Sequence, residues 1–250
     1  PYGSIANLHV PGSATNLINL VSGQQTSIHG ILNAIKDGRI GGNVYFANPH
    51  GFVVGAGGVI NVGSLSVSTP TQSFVNGFFL SPGNPSEAAL AQLLSGTAPR
   101  SGTGLISVQG TINAIDSISL AAGTINVGGT LYSGARFVGN GPDFSDVVNT
   151  NGLTSATNVV IREGRIAIVA DGDVAVSGTI AAPGGPGVGG GVVDLRAGGN
   201  VVLESGANIS ARGLGEDSGG GSVNVWADHN AVARAGALVD ASAGMSGDGG

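Results

Sequence analysis

The chain contains no cysteine, a single lysine (Lys36) and a single tryptophan (Trp226); only 10% of its 250 residues are charged and 4% aromatic. Without thiols there are no disulfides and no thiolate metal sites, which also suits a chain that must cross an oxidising periplasm unfolded. Nine Lys and Arg stand against fifteen Asp and Glu, a net charge of -6. Nucleic acid binds clustered Lys and Arg that displace its counterions, so this balance argues against a nucleic-acid partner. No stretch approaches the roughly 18 apolar residues of a membrane helix, and no membrane insertion is expected. The chain does not open on the charged and then apolar segments of a secretory leader; if the protein is exported, these residues are its mature part.

Glycine is what the chain has in excess, 47 of 250, where an average composition holds about 7%. Yet 41% of residues are hydrophobic, and Val, Ile and Leu recur at regular short intervals, unlike a disordered Gly-rich chain. Residues 41–70 set the rhythm. They read as short strands over 43–47, 52–54, 59–62 and 64–68, each ended within a few residues by Asn, Pro or Gly. Strands so short bury little in a sandwich, but they can stack on copies of themselves as the rungs of a parallel β-helix.

The same rhythm is expected from residue 5 to residue 35, after Gly104, and over 159–170 and 173–180. The unit Gly-Thr-Ile-Asn, at Gly110 and again at Gly123, suggests strands that turn at similar corners. Two interruptions are expected as excursions from the coil, at about 71–101 and 132–153. The first carries Phe74, Phe78 and Phe79 and then the one expected helix, with Asn84 as its cap, Pro85 at its first position and Gly96 at its end. Leu90, Leu93 and Leu94 should face inward, so that the segment covers an outer face; a partner-binding flap is the functional alternative.

Residues 189–218 align without a gap on 219–248. An offset of 30 residues fits one solenoid coil with a Gly-rich loop. Residues n and n+30 should then be neighbours about 4.8 Å apart along the axis. Asn200 should sit under Asn230 in an Asn ladder, Glu204 should face Arg234, and Arg196 should face Trp226 with a possible cation–π contact.

Polysaccharide-cleaving β-helices group carboxylates on neighbouring rungs. The 30-residue register instead puts Asp194 on Asn224, Glu204 on Arg234 and Asp240 on Ser210, so no enzyme activity and no catalytic residue is expected. Asp171 and Asp173, like Asp143 and Asp146, read as turn residues rather than a Ca²⁺ cage. The histidines His9, His29, His50 and His229 lack metal-ligand spacing, and neither a nucleophile elbow nor a phosphate loop is present. No metal or cofactor is expected.

Residues 43–69, with Ser27-Ile-His-Gly-Ile-Leu and the rhythm after Gly104, resemble the amino-terminal secretion domain of two-partner-secretion exoproteins, the filamentous haemagglutinin family. The likeness covers most of the first 130 residues. Asn48, Pro49 and Gly51 match the Asn-Pro-Asn-Gly signature, His50 replaces its second Asn, and no Asn-Pro-Asn-Leu motif follows. The resemblance implies a right-handed parallel β-helix with extra-helical elements, recognised in the periplasm by an outer-membrane transporter of the Omp85 type and exported to the cell surface. It also implies a surface or biofilm-matrix adhesin, with an exopolysaccharide or host glycan as a further partner, and a monomer is expected. Residues 1–180 would form the secretion domain and 181–250 the start of the adhesin repeats. Physically, Asn48 can cap the turn, Pro49 fixes φ, Gly51 permits a positive φ, and His50 need only be exposed. The rival reading is a β-helix that binds or degrades carbohydrate.

Overall fold

The computed structural model describes residues 3–81, 83–134 and 163–250. Their strands form three parallel rows stacked around one apolar core, a parallel β-helix. The first face holds Ile5–His9, Ile31–Lys36, the start of Val59–Ser68, the start of Thr111–Ala122, Thr130–Ser133, Thr179–Ala181, Asn208–Ser210 and Leu238–Asp240. The second holds Asn16–Leu20, Asn43–Ala47, the ends of those same two long strands, Arg165–Ala170, Val192–Ala197 and Ser222–Ala227. The third runs from Thr26–Ile28 through Phe52–Val54, Leu105–Val108, Thr124–Val127, Val174–Val176 and Val201–Leu203 to Ala231–Ala233. Residues 59–68, expected as two strands, are thus one strand bent at Gly63, whose N–H donates to Gly42 O at 3.1 Å.

Alternation produces the core. In Arg165–Ala170 the residues Ile166, Ile168 and Ala170 are buried while their neighbours face out. Stacking then lines up like with like: Leu65, Ile118, Ile166 and Val193 are successive register partners, all at 0–1% exposure. Burying one such side chain contributes about 1.5–3 kcal/mol, which a lone three- to six-residue strand could not collect.

Coil length varies, and the extra residues go to corners. Leu105 pairs with Thr124 (124 − 105 = 19 residues), Val174 with Val201 (27) and Val201 with Ala231 (30). The 30-residue repeat is therefore a pairing register. The two Gly-Thr-Ile-Asn units are not equivalent, however: Thr111 opens a first-face strand and Thr124 a third-face strand. Their spacing of 13 is shorter than any whole coil. The Gly-rich corners stack too, with Gly184 N donating to Arg212 O at 2.7 Å and Gly190 N to Gly219 O at 2.9 Å. A Cβ on Gly190 would lie 1.9 Å from Ala211 O, so glycine is required there by close approach.

The first excursion leaves after Ser68, is closed at its neck by a bridge between Pro70 and Arg100, and rejoins at Leu105. It contains two helices rather than the expected one: α1 (Gln72–Asn76) and α2 (Glu87–Ser95). Ser86, not Asn84, caps α2, and Gly96 ends it at φ 72° as expected. The cap is displaced because Asn84–Pro85 is still extended, paired antiparallel with Phe79–Ser81. Phe78 and Leu93 are buried with Ala47, and Phe74 and Leu90 pack beside them on Ile18 and Leu20 of the second face. Leu94, expected inside, is 36% exposed at the last turn. The second expected excursion begins later than residue 132, since Tyr132 lies within a first-face strand; the remainder of it, with Asp143, Asp146 and the start of the strand expected from residue 159, falls outside the described residues.

Candidate functional site

The turn at residues 48–51 joins the second-face strand Asn43–Ala47 to the third-face strand Phe52–Val54. Inside the coil, the rings of Phe46 and Phe52 meet at 5.2 Å and pin both ends of the turn. Asn48 is 1% exposed, and its amide is fully used. Nδ2 donates to Gln24 O at 2.7 Å and to Thr26 Oγ1 at 2.8 Å, on the corner one coil earlier, while Oδ1 accepts from His50 N at 2.9 Å. Pro49 and Gly51 are buried as well, and Gly51 takes φ 101°. Only His50 is exposed, with Nε2 3.2 Å from Ser22 O.

The turn also lies against the neck of the flap. Asn48 N donates to Ser68 O at 3.0 Å, where the flap leaves the coil. A side chain at Gly51 would lie 2.7 Å from Leu105 O, where the chain returns. Asn48 thus ties three layers together: the corner below, its own turn and the foot of the flap.

The repeat region places Asn200, Asn230, Glu204, Arg234, Arg196 and Trp226 as adjacent rungs. Asn230 Nδ2 donates to Asn200 Oδ1 at 3.1 Å, and Arg234 Nε meets Glu204 Oε2 at 2.7 Å. Arg196 and Trp226 are register partners, but the indole N–H is donated to Asp228 Oδ1 at 3.1 Å. Below Asn200 the ladder continues to Asp173, whose Oδ1 accepts from both Asn200 N and Nδ2. Such exposed pairs contribute about 0–1 kcal/mol each and mainly fix register.

A longer ladder was not foreseen from the sequence. Asn7, Asn33, Asn61 and Asn113 stack on the first face with amide-to-amide bonds of 3.0, 2.8 and 2.9 Å. Asn33 and Asn61 are buried, so these bonds satisfy groups that water does not reach. The signal lay in the tripeptides around Asn33, Asn61 and Asn113 (Leu-Asn-Ala, Ile-Asn-Val, Ile-Asn-Ala), with Asn7 in the reversed Ala-Asn-Leu, hidden by offsets of 26, 28 and 52 residues.

The carboxylates serve the scaffold. Asp171 Oδ1 accepts from Arg100 Nε at 2.9 Å, Asp194 Oδ2 from Arg165 at 3.0 Å, and Arg212 Nε lies 3.3 Å from Asp240 Oδ2. Among the described residues no three His, Asp or Glu side chains gather as a metal site requires. The backbone N–H of Asn200, then its side-chain amide, holds Asp173 below the ordinary carboxylate range, and Ser242 does the same for Asp240. Each therefore stabilises the fold above the ordinary carboxylate pKa, and that contribution disappears as pH falls through the lower folded value. The melting temperature should be flat from about pH 7 to 5 and decline below about pH 4. Asp173→Asn should soften that decline; an unchanged acid limb in a pH series of melts would refute this assignment.

One concavity lies beside the flap, a groove of about 220 Å³ between the end of α2 and the outer side of the second face. Tyr45, Ser64, Ser66, Ser117 and Ser119 line it from three adjacent strands.

Compared with protein-family models and with curated proteins, the chain matches none.

Proposed function

We propose that the chain is a secretion and adhesion module of the two-partner type: a non-enzymatic β-helix addressed through the periplasmic domains of an outer-membrane Omp85-type transporter and displayed at the bacterial surface. The reading rests on the resemblance around residues 43–69, and the observation that supports it most is the state of Asn48. Its side chain is buried and has no donor left in the folded coil. A transporter that reads this residue must do so before the corner closes, which fits an exported chain that folds only after passage. In the folded molecule the same residue locks the flap to the coil. Residues 181–250 then supply stacked coils for an adhesive shaft, with a surface glycan or matrix polysaccharide as the partner class.

The test is export in a bacterium carrying the chain with and without a two-partner-secretion barrel. The chain should reach the medium or cell surface only when the barrel is present, and equal export without it would overturn the reading. The carbohydrate alternative is favoured by one observation, the hydroxyl-lined groove. No described feature favours its degradative form.

A further inference from the structure

The outer side of the second face changes character along its length. On the coils of the repeat region its outward positions carry Asp194, Arg196, Asn224 and Trp226. Beside the flap the row of Asp194 and Asn224 continues as Ser119, Ser66 and Tyr45, and the row of Val192 and Ser222 as Ser117 and Ser64, whereas the row of Arg196 and Trp226 continues as Ala121 and Ser68. Small side chains leave room there, and the last turn of α2 walls the space on one side. The flap's apolar contacts on Ala47, Ile18 and Leu20 hold that wall in place.

The four serines are half-buried, and neither their hydroxyls nor the Tyr45 phenol have a hydrogen-bond partner among the described residues. Half-buried Asn113 on the first face, by contrast, is tied to the adjacent rung, its Nδ2 donating to Asn61 Oδ1 at 2.9 Å. Each free hydroxyl can both donate and accept. Rows one rung apart set these groups about 4.8 Å from one another across the groove floor. Tyr45 adds an apolar ring face with a polar tip, the combination that suits a ligand with one greasy face and a hydroxylated edge.

Charge narrows the ligand further. None of the residues lining the groove is ionisable at neutral pH, so a phosphate, carboxylate or ammonium would lose hydration and meet no countercharge. A purely apolar ligand would strand the hydroxyls. The volume of about 220 Å³ lies below the roughly 300–1,000 Å³ of sites for drug-sized ligands and suits a single ring. We infer that this groove binds one residue of a neutral saccharide, with Tyr45 against the ring and the two Ser-x-Ser pairs hydrogen-bonded to its hydroxyls. The site does not depend on the export reading and would stand if that reading failed.

Saturation-transfer NMR on the 250-residue chain tests it, with glucose, galactose, mannose and N-acetylglucosamine as neutral probes and galacturonate as the charged comparator. At least one neutral sugar should receive transfer in the millimolar range, and galacturonate should receive less. The double variant Ser66→Val and Ser119→Val, which fills the groove with residues suited to strands, should bind that sugar at least about tenfold more weakly. Its circular dichroism spectrum should match the parent. Should it lose the β spectrum, Ser66→Ala with Ser119→Ala, which only deletes two oxygens, is compared instead and should show weakening in the same direction. No transfer to any neutral sugar, a stronger signal from galacturonate, or undiminished transfer in a folded variant would each overturn the proposal. Because no transporter enters the experiment, its failure leaves the export reading untouched, and the reverse holds.

Discussion

Replacing Asn48 by alanine should lower the melting temperature of the purified chain by about 6–12 °C, an estimate that follows from roughly 3 kcal/mol at 2–4 °C per kcal/mol for a chain of this size. The 3 kcal/mol is the cost of orphaning Gln24 O, Thr26 Oγ1 and the His50 N–H together, at about 1–3 kcal/mol for each fully buried group and less where water can follow. Asn48→Asp should be worse. It keeps the shape but sets a carboxylate against Gln24 O, in a site only 1% exposed, with the Thr26 hydroxyl as the one former acceptor that can turn to donate. His50→Ala is the control, because His50 is the exposed member of the turn, and surface changes of that kind stay within about 0.5 kcal/mol. Thermal melts and the exported fraction are measured on the same variants. If export falls in step with stability, the Asn48 side chain acts as the staple between its own turn and the corner below. If Asn48→Ala lowers export with an unchanged melting temperature, the staple account is wrong and the side chain is read directly by the export machinery. A loss of export in His50→Ala alone would move the contact to the imidazole.

Why some of this could be read from the residues and some could not comes down to whether a pattern is local, periodic or assembled from distant coils. Strand rhythm over residues 43–68 was legible because each strand's alternation is local: Val44 and Phe46 point in, Asn43 and Tyr45 out. The last coils were legible because they have equal length, so Asn200 and Asn230 announce their stacking by an offset of 30. The Asn33, Asn61 and Asn113 ladder is the same device made invisible by unequal coils, the flap being inserted between Asn61 and Asn113. The cap of α2 was misplaced for a different reason. Asn84 and Pro85 have good start signals for a helix, but pairing with Phe79–Ser81 keeps them extended, and the helix waits for Ser86. Local propensity lost to a tertiary contact. The groove is hardest of all: Tyr45, Ser66 and Ser119 come from three coils and the wall from an excursion, so no window of sequence contains it.

The largest loss of stability should come from a single methyl group at Gly129. Corner glycines on consecutive coils form a column in which each approaches the backbone below: a Cβ on Gly110 would lie 2.2 Å from Gly58 O, one on Gly129 2.0 Å from Gly110 O, and one on Gly178 2.0 Å from Gly129 O. Neither side can retreat, because the corners are hydrogen-bonded in series. Gly129 N donates to Val108 O at 2.9 Å, Thr130 N to Gly110 O at 2.8 Å, and Thr179 N to Gly129 O at 2.9 Å. Moving one corner breaks the bonds to the next. Gly129→Ala should therefore cost on the order of 4 kcal/mol or more, the range reached when packed backbone is forced apart. Gly102→Ala, with no atom within 4 Å of the new Cβ, should stay within about 0.5 kcal/mol. Denaturant melts of the two variants decide it, and a Gly129→Ala protein as stable as the parent would show that the corners have slack. The chain itself indicates where slack exists. The register partner of Thr179 is Asn208, so Gly178 is followed in the column by Ala207, which carries its methyl group buried at 1% exposure. There the corner has grown from the two residues Ser177 and Gly178 to the four of 204–207, closed by Ala207 N donating to Glu204 O at 3.0 Å. Corner length alone does not remove the clash, because Gly58 ends a four-residue corner closed the same way, Gly58 N donating to Gly55 O at 2.7 Å, and a Cβ there would lie 2.3 Å from Ile28 O. The slack belongs to the path of residues 204–207, and Gly129 has none.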